Sequence, residues 1–255
     1  MRARLDQHFL VCEQTADRIV AATGIRPGER ILEVGPGRGV LTRRLLKAGA
    51  EVTAVEIDEG LCEGLRGRFA GDAISVVHAD WLELDLSTLP SPVGVVSNLP
   101  YSVGTPILRR LLDWPGWTSA VLMLQKEVAE RVLAVPGGPD YGILSLAVWL
   151  KAEGDPLFDV PPECFSPPPK VQSAVLRLRR LTRSRLPDHL PEERFFRVVK
   201  AAFSQRRKLA AKSVAAGLGL ARESVDSAFS DAGIPLFSRP QDIPPESYLH
   251  LANLL

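Results

Sequence analysis

The sequence predicts an α/β fold, a mostly parallel sheet whose last strand runs antiparallel, followed by a small C-terminal α-helical domain. Three observations carry this. Short apolar runs alternate with helical patterns over residues 1–182, as βαβ units require. Several of those runs end in a glycine turn or an acidic residue, the place where open α/β sheets bind ligands. Beyond residue 183 the alternation stops and only helical patterns remain, broken by glycines and prolines.

A chain of 255 residues accommodates one large domain, or a domain of roughly 180 residues with an appendage. The boundary is placed in the Arg183–Pro187 stretch, giving domains 1–185 and 186–255. The formal net charge is only +1, but it is unevenly spread. Residues 1–182 carry 20 Lys and Arg against 22 Asp and Glu, whereas residues 183–255 carry 11 against 8. A mildly acidic body with a basic tail is compatible with a polyanionic partner. Cys12, Cys62 and Cys164 are odd in number and form no Cys-x-x-Cys pair, which argues against a disulfide framework or a zinc site and for a reducing cytosol. The four histidines lack metal spacing. No apolar run approaches the ~18 residues of a membrane span, and the first ten residues lack the apolar core of a signal peptide.

Taken in order, Gln7-His8-Phe9-Leu10 reads as an arm docking an aromatic and a leucine, ahead of a helix over 12–23 that Gly24 closes. Arg30–Val34 is a strand leading into Gly35-Pro36-Gly37-Arg38-Gly39 and a helix. Glycines there let a ligand approach the backbone beside the unsatisfied N–H groups of a helix start. The spacing is Gly-x-Gly-x-Gly, not the Gly-x-Gly-x-x-Gly of dinucleotide binders, and the preceding Glu33 suits an ammonium better than a pyrophosphate. The second strand, Glu51–Glu56, ends in an acid 21 residues after Gly35, placed to accept ribose hydroxyls. Asp58 then caps a helix over 59–69. A third strand, Ile74–Val77, leads to Asp80.

The fourth strand, Val93–Val96, delivers Ser97-Asn98-Leu99-Pro100-Tyr101. Asn98 offers an amide oxygen, Pro100 presents only a carbonyl, and Tyr101 supplies a ring. Together they can hold a flat heterocycle carrying an exocyclic amine. An Asn-Pro turn with a core tyrosine fits the same residues. Next come a helix over Thr105–Asp113, a buried strand Ala120–Leu124, and a charged helix from Gln125 stopped by Pro136-Gly137-Gly138-Pro139. A helix Ile143–Lys151, a short strand Phe158–Val160 and a stiff proline-rich loop Phe165–Ser173 precede the alternating strand Ala174–Arg179. Helices are expected at 192–203, 205–217, 222–232 and 245–254. Arg206-Arg207-Lys208 places three consecutive cations on a short helix, an arrangement that attracts phosphates.

The Asn98–Tyr101 tetrapeptide resembles the motif of N6-adenine methyltransferases, and its Asn-Leu-Pro-Tyr form resembles the ribosomal RNA adenine dimethyltransferases. The resemblance runs through residues 7–10, 33–39, 56, 80, 98–101, 165–173 and 203–208, hence over essentially the whole chain. It implies a Rossmann-like class I methyltransferase sheet. It implies S-adenosylmethionine as methyl donor, S-adenosylhomocysteine as product and no metal. The reaction implied is dimethylation of N6 on two adjacent adenosines in a loop near the 3′ end of 16S small-subunit rRNA, with a role in small-subunit biogenesis. His8, Leu10, Gly35, Gly37, Glu56, Asp80 and Asn98 are the implied cofactor residues, Asp80 taking the adenine amine. This chain has His8 where the family commonly has Asn, so the contact there is assigned to backbone. Asn98, Leu99, Pro100 and Tyr101 are the implied catalytic residues, with Phe165 packing on the target adenine. Arg206, Arg207 and Lys208 are the implied RNA contacts. The partners implied are small-subunit rRNA and the maturing subunit, with no membrane, for a monomer in the cytoplasm.

Two alternatives remain open: the large-subunit rRNA methylases of macrolide resistance, and an RNA-binding assembly factor with secondary catalysis. The former typically carry Asn-Ile-Pro-Tyr, so Leu99 favours the small-subunit enzymes. The glycine spacing disfavours an NAD-dependent dehydrogenase.

Overall fold

The computed structural model describes residues 8–255, so Gln7 of the arm motif lies outside the described residues. The chain forms two compact units, the first made of residues up to Ala129 together with Glu153–Arg180, the second of Glu130–Ala152 together with Leu181–Leu255.

In the first unit the strands are β1 (Phe9–Leu10), β2 (Arg30–Val34), β3 (Glu51–Glu56), β4 (Ile74–His78), β5 (Val93–Asn98), β6 (Trp117–Gln125), β7 (Ala152–Val160), β8 (Phe165–Ser166) and β9 (Ser173–Arg180). Its helices are α1 (Glu13–Thr23), α2 (Val40–Lys47), α3 (Glu59–Arg68) and α4 (Gly104–Asp113). Seven strands form one sheet in the order β4-β3-β2-β5-β6-β9-β7. β2 pairs in parallel with β3 and β5, as do β3 with β4 and β5 with β6, while β9 runs antiparallel to β6. The expected sheet is therefore present, including its antiparallel strand. Its edge differs from expectation: β7 lies outside β9 and runs nine residues, where the sequence suggested only Phe158–Val160. Pro156 within β7 is compatible with an edge, because proline has no N–H to give to a ladder and an edge strand has one unpaired side.

The local chemistry explains the boundaries. β3 and β5 lie inside the sheet and are mostly buried, hence the apolar stretches Val52–Val55, interrupted only by Thr53, and Val93–Val96. Gly24 ends α1 at φ 65°, a left-handed conformation that glycine adopts without a Cβ penalty. Asp58 accepts the Leu61 N–H at 2.9 Å, the predicted cap of α3. The order of strands reverses between β2 and β5, since β3 and β4 build outward on one side and β5 and β6 on the other. That reversal opens a crevice at the carboxyl ends of β2 and β5.

The second unit contains α5 (Lys126–Leu133, whose first residues lie in the first unit), α6 (Ile143–Lys151), α7 (Glu192–Phe203), α8 (Ala210–Leu218), α9 (Arg222–Asp231) and α10 (Pro245–Leu254). Residues 130–152, which a single cut at 185/186 assigns to the first domain, pack with the C-terminal helices instead. The buried Tyr141 hydroxyl donates to the Ile243 carbonyl at 3.1 Å, and the Phe203 ring contacts those of Tyr141 and Tyr248. The helix expected over 205–217 starts only at Ala210, and residues 204–207 form a turn. No described helix is long and apolar enough to cross a membrane.

Candidate functional site

The site is built on three strand ends and one arm. At the end of β2 the turn 35–39 holds Gly35, Gly37 and Gly39 at φ 67°, 56° and 75°. A side chain at Gly37 would meet the Phe9 ring at 3.2 Å, so the missing Cβ is what lets the arm close over this turn. The Gly37 N–H donates to Glu56 Oε2 at 3.0 Å, while Glu56 Oε1 receives the Ile57 and Asp58 N–H groups at 2.9 and 3.1 Å. This ties the ends of β2 and β3 together around a buried carboxylate. A carboxylate offers about four lone-pair sites, so three backbone donors leave room for a further hydroxyl. At the end of β4, Asp80 Oδ1 accepts the Leu82 N–H at 2.9 Å, which fixes the side chain on the pocket wall.

Glu33, near the end of β2, is almost fully buried and accepts a hydrogen bond from the Thr42 hydroxyl at 2.6 Å. Burial pushes its pKa up to about 7; the negative Glu56 nearby adds to the rise, and the Thr42 hydrogen bond opposes it. Three acids and one arginine line this pocket, and the Arg38 guanidinium sits over the Phe9 ring at 4.4 Å. Such a lining suits a ligand rich in hydroxyl and amine donors and repels a pyrophosphate.

The arm meets the β5 end on the other side. β1 pairs antiparallel with β8, Phe9 opposite Ser166 and Leu10 opposite Phe165. The Val11 N–H extends this contact to the Cys164 carbonyl at 2.8 Å. The Asn98 amide nitrogen donates to the His8 carbonyl at 3.4 Å. Because a carbonyl can only accept, this contact sets the amide orientation and turns the Asn98 oxygen away from the arm. The Pro100 carbonyl receives the Val103 N–H at 3.3 Å and keeps its second lone pair. Tyr101 is held by its hydroxyl on Ser173 Oγ at 2.5 Å and by the His8 ring, 5.2 Å between centroids. Burial raises the Tyr101 pKa, so this hydroxyl stays neutral. The His8 ring is fixed in turn by the Pro167 carbonyl at 2.7 Å.

His8, Leu10, Gly35, Gly37, Glu56, Asp80, Asn98, Leu99, Pro100 and Tyr101, predicted separately, thus line one pocket. Three expectations change. The Leu99 side chain is buried in the core, so only its backbone can serve the turn. Phe165 is also buried, stands edge-on to Tyr101 at 6.5 Å and does not line the pocket. Its pairing with Leu10 directs it inward, and here it buttresses Tyr101 instead of offering a face. Arg206 donates to the Pro139 and Tyr141 carbonyls at 2.5 and 3.0 Å, a structural role within the second unit, whereas Arg207 and Lys208 remain exposed. Ser173, the anchor of Tyr101, was not singled out; its only signal was its place at the end of the Phe165–Ser173 loop. Trp81 and Ile107, which wall the pocket beside Asp80, carried no sequence signal beyond hydrophobicity.

Comparison with known proteins agrees with the fold. A family model described as "Ribosomal RNA adenine dimethylase" matches residues 1–255. The chain is 44% identical over 233 residues to ribosomal RNA small subunit methyltransferase A of Desulfitobacterium hafniense, covering 90% of this chain and 83% of that one. It is 41% identical over 264 residues to the protein of the same name from Parasynechococcus marenigrum, covering 99% and 86%. Among solved structures it is similar to the 23S rRNA methyltransferase ErmE, with TM-score 0.74, 31% identity and coverage of 97% and 99%. It is also similar to a dimethyladenosine transferase from Plasmodium falciparum, with TM-score 0.79, 25% identity and coverage of 96% of each chain.

Proposed function

Because the chain belongs to the ribosomal RNA adenine dimethylase family, we propose that the pocket at the β2/β5 crevice holds the methyl donor and that Asn98 and Pro100 present the adenine amine to it. The protein is an S-adenosylmethionine-dependent rRNA adenine N6,N6-dimethyltransferase of the small-subunit type. The small-subunit name shared by relatives at 44% and 41% identity favours a small-subunit target, read as two adjacent adenosines near the 3′ end of 16S rRNA, over a large-subunit one.

The residues present fit the donor. In this reading Glu56 takes ribose hydroxyls on its remaining acceptor site, Asp80 takes the adenine amine, and the backbone at Gly35, Gly37, His8 and Leu10 closes around the ligand. Glu33, half-ionised near neutrality, faces the end where a cationic amino acid moiety belongs. When bound, S-adenosylmethionine supplies a methyl group already activated by its sulfonium charge.

The protein's task is then one of positioning. The N6 lone pair of adenine is delocalised into the ring and is a poor nucleophile. Hydrogen bonds from N6–H to the Asn98 oxygen and the Pro100 carbonyl favour a pyramidal nitrogen with a localised lone pair. Tyr101 supplies the stacking face, with Phe165 behind it. No carboxylate base is needed at the turn, because the proton becomes acidic only as the C–N bond forms and solvent can accept it. Drawing a base out of a stack costs a few kcal/mol unless it already lies in a loop, which favours loop RNA. The remaining assignments are a monomer acting in the cytoplasm on the maturing small subunit, with Arg207 and Lys208 meeting its phosphates.

The observation that carries this reading is the Asn98 amide, whose nitrogen is engaged by the arm so that its oxygen remains for a substrate. The test is Asn98→Ala assayed on unmethylated small subunits. Methylation should fall by at least about 100-fold, the range of a lost transition-state contact, well beyond any loss of calorimetric affinity for S-adenosylhomocysteine from the freed arm, while rRNA binding stays within about threefold of wild type. Normal methylation by this variant would remove Asn98 from the chemistry.

A further inference from the structure

The second unit carries a surface that the cationic triplet alone does not describe. Its most exposed large apolar side chain is Phe237, 78% accessible, in the loop between α9 and α10. Phe237 does not stand by itself. The Ala210 N–H donates to the Ser238 carbonyl at 2.9 Å, which sets this loop against the Arg207–Leu209 turn. The Gly137 N–H donates to the Gln241 carbonyl at 2.7 Å, and Arg206 fastens the Pro139–Tyr141 segment to the same turn. Three loops are therefore laced by hydrogen bonds into one face. Val135, at 68% accessible, lies on the loop that carries Gly137 and Pro139, and Leu209 on the Arg207–Leu209 turn.

The charged residues of these three loops are mostly cations. Arg207, Lys208 and Arg239 are exposed, and their side chains make no hydrogen bond or ion pair among the described residues. The acids of these loops are Asp140 and Asp242, and Asp242 is engaged by the Arg239 N–H at 3.3 Å. An exposed ring costs solvation with no return in the isolated protein. Carried on loops whose exposed cations make no ion pair among the described residues, it matches a chain that offers π-faces and phosphates together.

We propose that this three-loop face binds the ribosomal RNA substrate, with Phe237 stacking on an unpaired base while Arg207, Lys208 and Arg239 contact the flanking phosphates. The proposal rests on the reading of residues 206–208 as RNA contacts and extends it to a stacking platform. The platform is separate from the Tyr101 pocket: it belongs to the other unit and handles a base that is not methylated.

The test uses the full-length protein, a fluorescent transcript of the 3′ domain of small-subunit rRNA, and unmethylated small subunits. Phe237→Ala should weaken transcript binding about five- to a hundredfold, the equivalent of one lost base–aromatic stack. Phe237→Tyr should restore affinity, and S-adenosylhomocysteine binding should be unchanged in both. Arg207→Ala with Lys208→Ala should lower the salt slope of log Kd by about 1.5, the share of two phosphate contacts. Wild-type transcript affinity for Phe237→Ala, with the double variant impaired, would overturn the stacking platform and leave the cation reading intact. Unimpaired binding by both would overturn the two together, with the enzyme assignment still resting on Asn98. Weakened binding to subunits but not to the transcript would assign Phe237 to a ribosomal protein and overturn the proposal.

Discussion

Glu33 shows how burial at a pocket wall alters a single residue. Its carboxyl is buried against Thr42 and beside Glu56, which lifts its pKa from an ordinary 4.5 to about 7. The folded chain thus keeps a proton that the unfolded chain releases. Stability from this group is fully present below about pH 4.5 and is lost as the pH rises to about 7, a change of about 3 kcal/mol. Glu33→Gln removes that dependence while its amide oxygen can still accept from Thr42. In urea denaturation the variant should match wild type within about 1 kcal/mol at pH 5 and exceed it by roughly 2–3 kcal/mol at pH 8. Donor binding should show the converse. A cation beside Glu33 favours its ionised form, so wild-type affinity for S-adenosylmethionine should rise as the pH passes through 7, and the Gln variant should bind weakly with a flat profile. A pH-independent stability difference would mean that Glu33 is ionised throughout. The position of Glu33 before the glycine turn was legible in the sequence; its neutral tendency was not, because that depends on Thr42 and Glu56 arriving from other elements.

At the scale of elements, the parts that could be read were those with a local cause. The strands β2 to β5 appear as apolar runs, and Gly24 and Asp58 announce a helix end and a helix start. β1 and β8 could not be read, since two-residue strands have no periodicity and are defined only by each other. The same pairing explains Phe165, whose aromatic character suggested a stacking face but whose partner Leu10 turns it into the core. The stretch 204–208 failed for the opposite reason. Arginine and lysine favour helix, yet the Pro139 and Tyr141 carbonyls claim Arg206 and the Phe203 ring packs with Tyr141 and Tyr248, so tertiary contacts override propensity. The glycine turn permits a matched test of local against packing constraint. Gly24 and Gly39 share a left-handed backbone, φ 65° and 75°. A Cβ at Gly24 meets nothing within 4 Å, whereas at Gly39 it comes within 2.8 Å of Leu65 and Phe69. Gly24→Ala should cost about 1–2 kcal/mol from backbone conformation alone, and Gly39→Ala about 2–5 kcal/mol with the added overpacking. Equal melting shifts for the two would show that α3 yields freely to the turn.

At the scale of the whole molecule, the sequence announces a change of pattern near residue 183 but not that the second unit is assembled from two separated stretches. The periodicity of Ile143–Lys151 is that of any buried helix, and the partners of this segment lie from about 35 to about 100 residues downstream. The consequence is that the chain cannot be divided by one cut. A fragment ending at Arg180 keeps residues 130–152 while removing the Ile243 carbonyl from Tyr141, Glu192 from Lys151 at 2.9 Å and the Arg185 guanidinium from the Trp149 ring. Burying Tyr141, Leu144, Leu146 and Leu150 is worth about 1.5–3 kcal/mol for each large side chain, so the stranded segment should expose a substantial apolar surface. That fragment is expected to bind a hydrophobic dye and to aggregate on concentration. Replacing residues 134–151 in it by a flexible Gly/Ser linker should abolish dye binding. It should also keep affinity for S-adenosylhomocysteine, because the pocket is lined entirely by residues 8–107 of the first unit. If the uncorrected fragment is as soluble and as silent to dye as the linker form, then residues 130–152 stand independently of the C-terminal helices. In the expected case, loss of the second unit leaves donor binding whole and removes only the hold on RNA, so the fragment should bind donor normally and methylate poorly.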